Sequence, residues 1–280
     1  MGMRMKRTVW LAAALALAAP ASAHLLARGI PLSELAATSP VAVIGRIEGA
    51  AGGAADPSVT IAVEEAVIGS APPGPLRFTT EGHHPPDYAV GSRVLVFLAT
   101  SGPPWVSRQT ALDLVEVPER AAERSALLSA VRGYVSLRGV TARSEQIAQL
   151  ETFALGNLES ASDRVRHEAL LDLIALAPAK PFDAADVARV AALARDPKTP
   201  ETLAPGLVVL LAAIRIPASE PALVAVLQSA PDPQTRAAAA RVLGKRRGPT
   251  AVAALHAAQS DRALAVRLTA QRALAGVREP

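Results

Sequence analysis

The hydrophobic positions of this chain follow two different periods, one before and one after about residue 118. From about residue 40 to residue 117, apolar residues alternate with other residues in short runs that clusters of Gly and Pro separate. Such alternation predicts β-strands, because successive side chains of a strand point to opposite faces of the sheet. A short helix over residues 32–37 is predicted before them. The predicted strands comprise residues 41–47, 59–68, 76–80, 93–98, 106–110 and 112–117.

After residue 118, apolar residues recur at the three- to four-residue spacing of amphipathic helices. Asp or Ser begins most of these segments and Pro or Gly follows most of them, as expected for helix ends. The predicted helices comprise residues 119–137, 144–158, 162–176, 183–195, 201–214, 219–229, 232–243, 249–259 and 261–275.

One pattern recurs within these helices, namely a charged residue, an Ala three positions later and an aliphatic residue seven positions later. Successive units begin about 31 to 35 residues apart, which is typical of stacked helix pairs in a solenoid. The four units are Arg166-Ala169-Leu173, Glu201-Ala204-Val208, Arg236-Ala239-Leu243 and Arg267-Ala270-Leu274.

The sequences Asp232–Gly244 and Val266–Leu274 carry a resemblance to a known family. Residues from about 160 to 277 resemble the HEAT-like repeats of the family named after phycobilisome lyases. The resemblance implies a helical scaffold rather than lyase activity, because most proteins with these repeats use them as scaffolds.

The strand region carries a second resemblance, in the runs "SPVAVIGRIEG", "VTIAVEEAVIGS" and "GSRVLVFLAT". These runs, with Val63, Glu65 and Gly69, resemble small secreted bacterial β-barrels of the OB-like, netrin-like type. The resemblance covers about 80 residues and implies the architecture of a small barrel.

The first 23 residues have the features of a secretory signal peptide. Arg4, Lys6 and Arg7 precede the apolar run 9–19, and Ala21-Ser22-Ala23 provides a cleavage site. The apolar run is too short to span a bilayer. We therefore expect an exported protein, periplasmic or secreted, that begins at His24 and has no stable membrane insertion.

Charge and composition narrow the expected partners. The chain has 29 Lys and Arg residues against 25 Asp and Glu residues, and removal of the signal leaves a net charge of about +1. The tight basic cluster Lys245-Arg246-Arg247 fits a solvated turn or, alternatively, a site for an anionic ligand. A nucleic-acid partner is not expected, because such proteins normally have an extensive basic face. No Cys is present, so no disulfide stabilises the exported chain.

His24, His83 and His84 are the candidate metal ligands. An N-terminal His can bind copper through its amine and ring, and imidazoles near Glu81 and Asp87 suit copper or zinc. The alternative is that the mature start is arbitrary and that His83 and His84 belong to an ordinary exposed loop. The expectation is therefore no cofactor, with copper or zinc left open.

Three further residues are candidate binding residues. Arg189 and His256 belong to helices 183–195 and 249–259, which with helix 219–229 are expected to line the concave face of the solenoid. Trp105 is either part of the barrel core or an exposed recognition residue.

The repeated arginines have two interpretations. Arg166, Arg236 and Arg267 either form exposed ion pairs that order each turn or form a row that binds a ligand. In the first interpretation their partners are Asp163, Asp232 and Asp261.

Together these features predict an α+β multidomain protein with a small OB-like or netrin-like β-barrel before a HEAT-like solenoid. The predicted divisions are a signal peptide at 1–23, the barrel at 24–118, connecting helices at 119–159 and repeats at 160–280. The predicted function is that of an exported, non-catalytic adaptor or scaffold that binds a protein or peptide. The alternatives are a periplasmic copper or zinc protein and an enzyme with a dispersed site in the cleft between the domains.

Overall fold

A computed structural model describes residues 30–51, 58–80, 87–107, 109, 113–179 and 182–278. The chain forms two compact units that meet between Gly139 and Val140. The predicted connecting segment 119–159 is therefore divided, because its first helix belongs to the barrel unit and its second to the helical unit.

The first unit contains a closed five-stranded barrel. Its strands follow the order β1-β2-β3-β5-β4, β4 pairs again with β1 to close the barrel, and β6 pairs with β4 outside the ring. All pairings are antiparallel except β3 with β5, which is parallel. The strands are β1 (Val41–Ala51), β2 (Ser58–Ile68), β3 (Gly74–Thr80), β4 (Arg93–Leu98), β5 (Trp105–Ser107) and β6 (Val115–Glu116). The predicted small barrel is confirmed.

Alternation along the strands builds the barrel core, because every second side chain points inward. Strand β4 is buried on both faces from Val94 to Leu98, as its continuous apolar run predicts. Helix α1 (Leu32–Thr38) and helix α2 (Ala121–Ser136) contact each other, and α2 also contacts β2. The core side chains of the barrel include Val43, Ile47, Ile61, Leu76, Phe78, Val96 and Leu98.

Gln109 binds backbone groups of the barrel unit through its buried side chain. Its fully buried side-chain amide accepts a hydrogen bond from the backbone N–H of Phe97 (2.9 Å) and donates one to the carbonyl of Asp113 (3.0 Å). The side chain therefore satisfies two backbone polar groups of the barrel unit, as buried polar groups require.

Gly69 ends β2 in a left-handed conformation, with a φ of 63°. A Cβ atom at this position would lie 2.4 Å from the carbonyl oxygen of Pro40, which is backbone and cannot rotate away. Gly69 was one of the residues of the barrel resemblance, and this close approach is a physical reason for glycine there.

Gly69→Ala should destabilise the barrel unit by at least about 1–2 kcal/mol, through the strained φ and the contact with Pro40. Trp105 fluorescence during urea unfolding of the chain without residues 1–23 measures this loss, since Trp105 lies in the barrel. Gly49→Ala is the matched control, because a Cβ at Gly49 meets nothing within 4 Å. Equal unfolding midpoints for the two variants would contradict the account of Gly69.

The second unit contains eight helices within its described residues. They are α3 (Arg143–Asn157), α4 (Asp163–Leu176), α5 (Ala184–Arg195), α6 (Ala204–Ala213), α7 (Ser219–Ser229), α8 (Pro233–Arg246), α9 (Pro249–Ala258) and α10 (Leu264–Arg278). Each corresponds to a predicted helix. Helix α6 begins three residues later than predicted, at a point that keeps Pro205 in the first turn, where its missing N–H is tolerated.

The helices of this unit form two rows. Helices α4, α6, α8 and α10 contact one another in that order, and α5, α7 and α9 form the second row. Ala, Val and Leu from both rows form one continuous core. This arrangement is the stacked-pair architecture that the repeated sequence pattern predicts.

Candidate functional site

The repeated arginines of the helical unit bind backbone carbonyls at the turns. Each donates from Nη1 to the carbonyl six residues earlier: Arg166 to Ser160, Arg236 to Ala230 (2.8 Å) and Arg267 to Asp261 (2.8 Å). These carbonyls lie where a preceding helix ends and lacks its own hydrogen-bond donors. The three arginines are therefore structural residues of the turns between helices.

Arg236 makes the most extensive of these contacts. Its side chain is 3% exposed and binds both carboxylate oxygens of Asp261, with Nε and Nη2 each at 2.9 Å. It also donates to the carbonyl of Pro231 (3.0 Å), while Asp261 accepts from the N–H of Ala263 (2.7 Å) before α10. One buried ion pair thus connects α8, the end of α7 and the start of α10.

The predicted pairing of these arginines is correct for one of the three. Arg166 pairs with Asp163 as expected. Arg236 instead pairs with Asp261 of the next unit, because Asp232 accepts hydrogen bonds from the N–H groups of Gln234 (3.1 Å) and Thr235 (2.7 Å) at the start of α8. The expectation of exposed pairs is therefore wrong for Arg236, which is buried.

Asp261 and Asp232 both have lowered pKa values. At Asp261 the hydrogen bonds from Arg236 are the main cause. At Asp232 burial acts to raise the pKa, but the hydrogen bonds from the Thr235 side chain and from two backbone N–H groups outweigh it. Both carboxylates therefore favour the folded state when they are ionised.

The stability of the helical unit should fall as these two carboxylates are protonated. Their contribution is complete above the unfolded pKa of about 3.9 and is lost as the pH falls through the lowered folded values. Urea unfolding followed by circular dichroism between about pH 6 and pH 2 measures this loss. Asp261→Asn should show a weaker pH dependence than the wild type, and an unchanged dependence would contradict the assignment.

The cluster Lys245-Arg246-Arg247 is only partly a solvated turn. Arg246 donates to three carbonyls at the end of α6, those of Leu211 (3.2 Å), Ala212 (3.4 Å) and Ile214 (3.3 Å). Arg247 ends α8 in a left-handed conformation and donates to the carbonyl of Gly276 (2.8 Å). Lys245 is exposed.

Arg189 and His256 are both exposed on the second row of helices. Arg189 in α5 donates to Glu159 (2.5 Å), and His256 lies in the last turn of α9. Helix α7 lies between these helices, so the two residues are separated by two helix spacings, roughly 16–20 Å. They therefore do not form a compact site.

Trp105 lies in the barrel core. Its side chain is 9% exposed and packs with the other core residues, and Trp105 pairs with Phe78 across β5 and β3. Trp105 is therefore part of the barrel core and is not an exposed recognition residue.

His24, His83 and His84 lie outside the described residues, as does the predicted signal peptide. Within the described part of the chain, no three His, Cys, Asp or Glu residues group together in a way that could hold a metal ion. The described helices also include none that is long and apolar enough to cross a membrane. The metal site therefore stays a prediction from the sequence.

Exposed leucines on α10 were not singled out from the sequence. Leu264 is 59% exposed and Leu268 is 41% exposed, one helical turn apart on the same face. A comparison of the repeat units could have pointed to these leucines. Leu268 in α10 occupies the repeat position of Ala237 in α8, and Ala237 is only 3% exposed. A large apolar residue at a position that the preceding unit buries indicates an uncovered stacking face.

Comparison with known proteins agrees with this architecture. Residues 220–280 match the family of HEAT repeats. A search of curated proteins found no match to this chain. HEAT repeats generally serve as protein-interaction modules, so the match supports a role as a protein-interaction scaffold.

Proposed function

We propose that this chain is an exported, non-catalytic scaffold that binds a protein or peptide through its helical repeats. The observation that carries the proposal is the match of residues 220–280 to HEAT repeats within two rows of stacked helices. Solenoids of this kind present extended surfaces to macromolecular partners. Export rests on the predicted signal peptide at residues 1–23.

The exposed face of the second row suits a broad interface. Small side chains such as Ala185, Ala188 and Ala192 of α5 and Ala253 of α9 are exposed on the same helices as Arg189 and His256. Aromatic residues are only 3% of the chain, so the usual anchors of a compact hot spot are scarce. We expect binding energy to be distributed over several helices.

The perturbed ionisable groups support a non-catalytic role. Strongly shifted pKa values often mark catalytic groups, but here the shifts of the charged side chains accompany structural contacts. Asp232 and Asp261 stabilise the starts of helices, and burial beside the end of α6 lowers the pKa of Arg246. Burial in the barrel raises the pKa of Tyr88 to about 12.

We assign the barrel to the OB-like type on its strand order. A closed order of β1-β2-β3-β5-β4 with parallel β3 and β5 supports the resemblance found in the sequence. Barrels of this type bind ligands on one face and in the loops beside it, so the barrel is the second surface on which we would search for a partner.

Site-specific photocrosslinking of the full chain in the cells that produce it tests the scaffold function. We would place the crosslinking residue at Ala188 in α5, at Ala253 in α9 and, for comparison, at the exposed Val90 of the barrel unit. The proposal predicts the same partner protein from Ala188 and Ala253. If a partner is captured only from Val90, the interface lies on the barrel unit and not on the repeats. If no protein is captured from any of the three positions, the scaffold function is contradicted.

Intact mass of the exported protein, measured under native conditions with and without Cu(II) or Zn(II), tests export and the metal alternative. We predict a species that begins at His24 and binds no metal. One retained metal ion would favour the alternative in which His24 acts with His83 or His84.

A further inference from the structure

We propose that the uncovered face of α10 and the basic surface beside it bind an acidic amphipathic helix of the partner protein. We call this region the α10 end surface and define it by Leu264, Leu268, Arg272, Arg241 and Lys245. The inference rests on the proposed scaffold function and specifies the chemistry of the partner.

The repeat register shows that a helix fits this face. Helices α8 and α10 are equivalent units, so Leu268, Gln271 and Ala275 occupy the positions of Ala237, Ala240 and Gly244. In α8, Ala237 and Ala240 are buried and Gly244 is half-buried, and a Cβ at Gly244 would lie 2.5 Å from the Cβ of Ala273 in α10. In α10 the same face is exposed.

The exposed apolar residues of this face indicate that a binding partner covers it. A face of a solenoid on which no repeat stacks is normally polar. Here Leu264 and Leu268 are exposed one turn apart, at 59% and 41% exposure, and Gln271 and Ala275 continue the same face. A stripe about 15–20 Å long along α10 matches the length of a short amphipathic helix.

Charge determines what kind of helix would bind. From Arg236 to Arg272 the sequence has eight Arg and Lys residues but a single acidic residue, Asp261, and Arg236 occupies both oxygens of that carboxylate. Arg236, Arg246, Arg247 and Arg267 donate to backbone carbonyls. Arg241, Lys245, Arg262 and Arg272 are exposed.

Two of the exposed cations are aligned by the repeat. Arg272 borders the leucine stripe on α10, and Arg241 occupies the equivalent position on α8, with Lys245 one turn further. A second copy of the chain would bring the same cations against these, and like charges in an interface oppose association. An acidic helix satisfies both the apolar stripe and the cations.

A binding measurement on the full exported chain tests the proposal with synthetic probes. The probe is an 18-residue helical peptide (about five turns) with a stripe of Leu residues bordered by Glu residues. Fluorescence anisotropy of the labelled peptide measures its affinity for the chain. Two matched peptides carry Lys in place of each Glu, or Gln in place of each Leu. We expect the Glu–Leu peptide to bind at least about tenfold more tightly than either, and to weaken as salt rises.

Two double variants locate the binding surface. Arg241→Glu with Arg272→Glu, and Leu264→Gln with Leu268→Gln, should each weaken binding of the Glu–Leu peptide by at least about tenfold. Arg143→Glu with Lys198→Glu changes the net charge equally at exposed positions of α3 and the segment after α5, and should leave the affinity within about twofold. Because all six side chains are exposed, circular dichroism should show unchanged folding.

Several outcomes would overturn the proposal. The first is a loss of peptide binding in the control variant as large as in the two surface variants. The second is binding of the Lys peptide as tight as that of the Glu–Leu peptide. The third is tighter binding of a DNA duplex of about 20 base pairs than of the Glu–Leu peptide. If the chain associates with itself and Leu268→Glu abolishes this association, the surface binds a second copy of the chain.

The scaffold function fails separately from this inference. Crosslinks from Ala188 and Ala253 without peptide binding would remove only the acidic-helix inference. An absence of crosslinks would contradict the scaffold function whatever the peptides do.

Discussion

Arg236→Ala should destabilise the helical unit by about 3–5 kcal/mol, the usual cost of removing one partner from a buried ion pair. The substitution leaves the Asp261 carboxylate without its two guanidinium bonds and removes the donor from the carbonyls of Ala230 and Pro231. The loss is large because these groups are buried at the junction of three helices. Urea unfolding followed by circular dichroism at 222 nm measures it.

Arg241→Ala is the matched control for Arg236→Ala. Arg241 lies on the same helix but is exposed, so its removal should change the free energy of unfolding by no more than about 0.5 kcal/mol. If the two variants unfolded at the same urea concentration, the pair between Arg236 and Asp261 would not be an important contact of the fold.

Leu211→Ala should destabilise the helical unit by about 2–5 kcal/mol, since it leaves a cavity in a packed core. Helix α6 contacts α4 and α8 of its own row and α5 and α7 of the other row, and Leu211 is fully buried among them. In a solenoid, a weakened central unit also weakens the interfaces with both neighbours. We therefore expect the helical signal of the whole unit to be lost at lower urea concentration.

Val209→Ala provides the comparison for Leu211→Ala. Val209 is on the same helix and is 48% exposed, so its truncation removes little buried area and should change stability by no more than about 0.5 kcal/mol. If the Leu211→Ala variant were as stable as the Val209→Ala variant, the packing of Leu211 between the two rows of helices would not be important for stability.

The periodic parts of the sequence predicted the fold well. Helices such as α4 and α8 repeat one apolar spacing and begin with residues whose side chains accept hydrogen bonds from the first turn, here Ser162 and Asp232. Both signals are local, so they do not depend on the rest of the structure. The strands of the barrel were likewise predicted from alternation.

The partners of charged residues could not be predicted, because they depend on distances between units. Asp232 and Asp261 are both near Arg236 in the repeat pattern, and only the stacking of α10 on α8 brings Asp261 to the guanidinium. The uncovered face of α10 also depends on packing. The repeat register places Leu268 at the position of Ala237, but only the structure shows that Ala237 is buried and that Leu268 is exposed.

Hydrogen exchange on the full chain, with and without the protein that crosslinks to Ala188 and Ala253, tests the scaffold function most directly. The account predicts that the partner slows exchange in helices of the repeat unit, with the acidic-helix inference adding protection in α10. Protection confined to the barrel strands, with α5 to α10 unchanged, would contradict a scaffold that binds through its repeats.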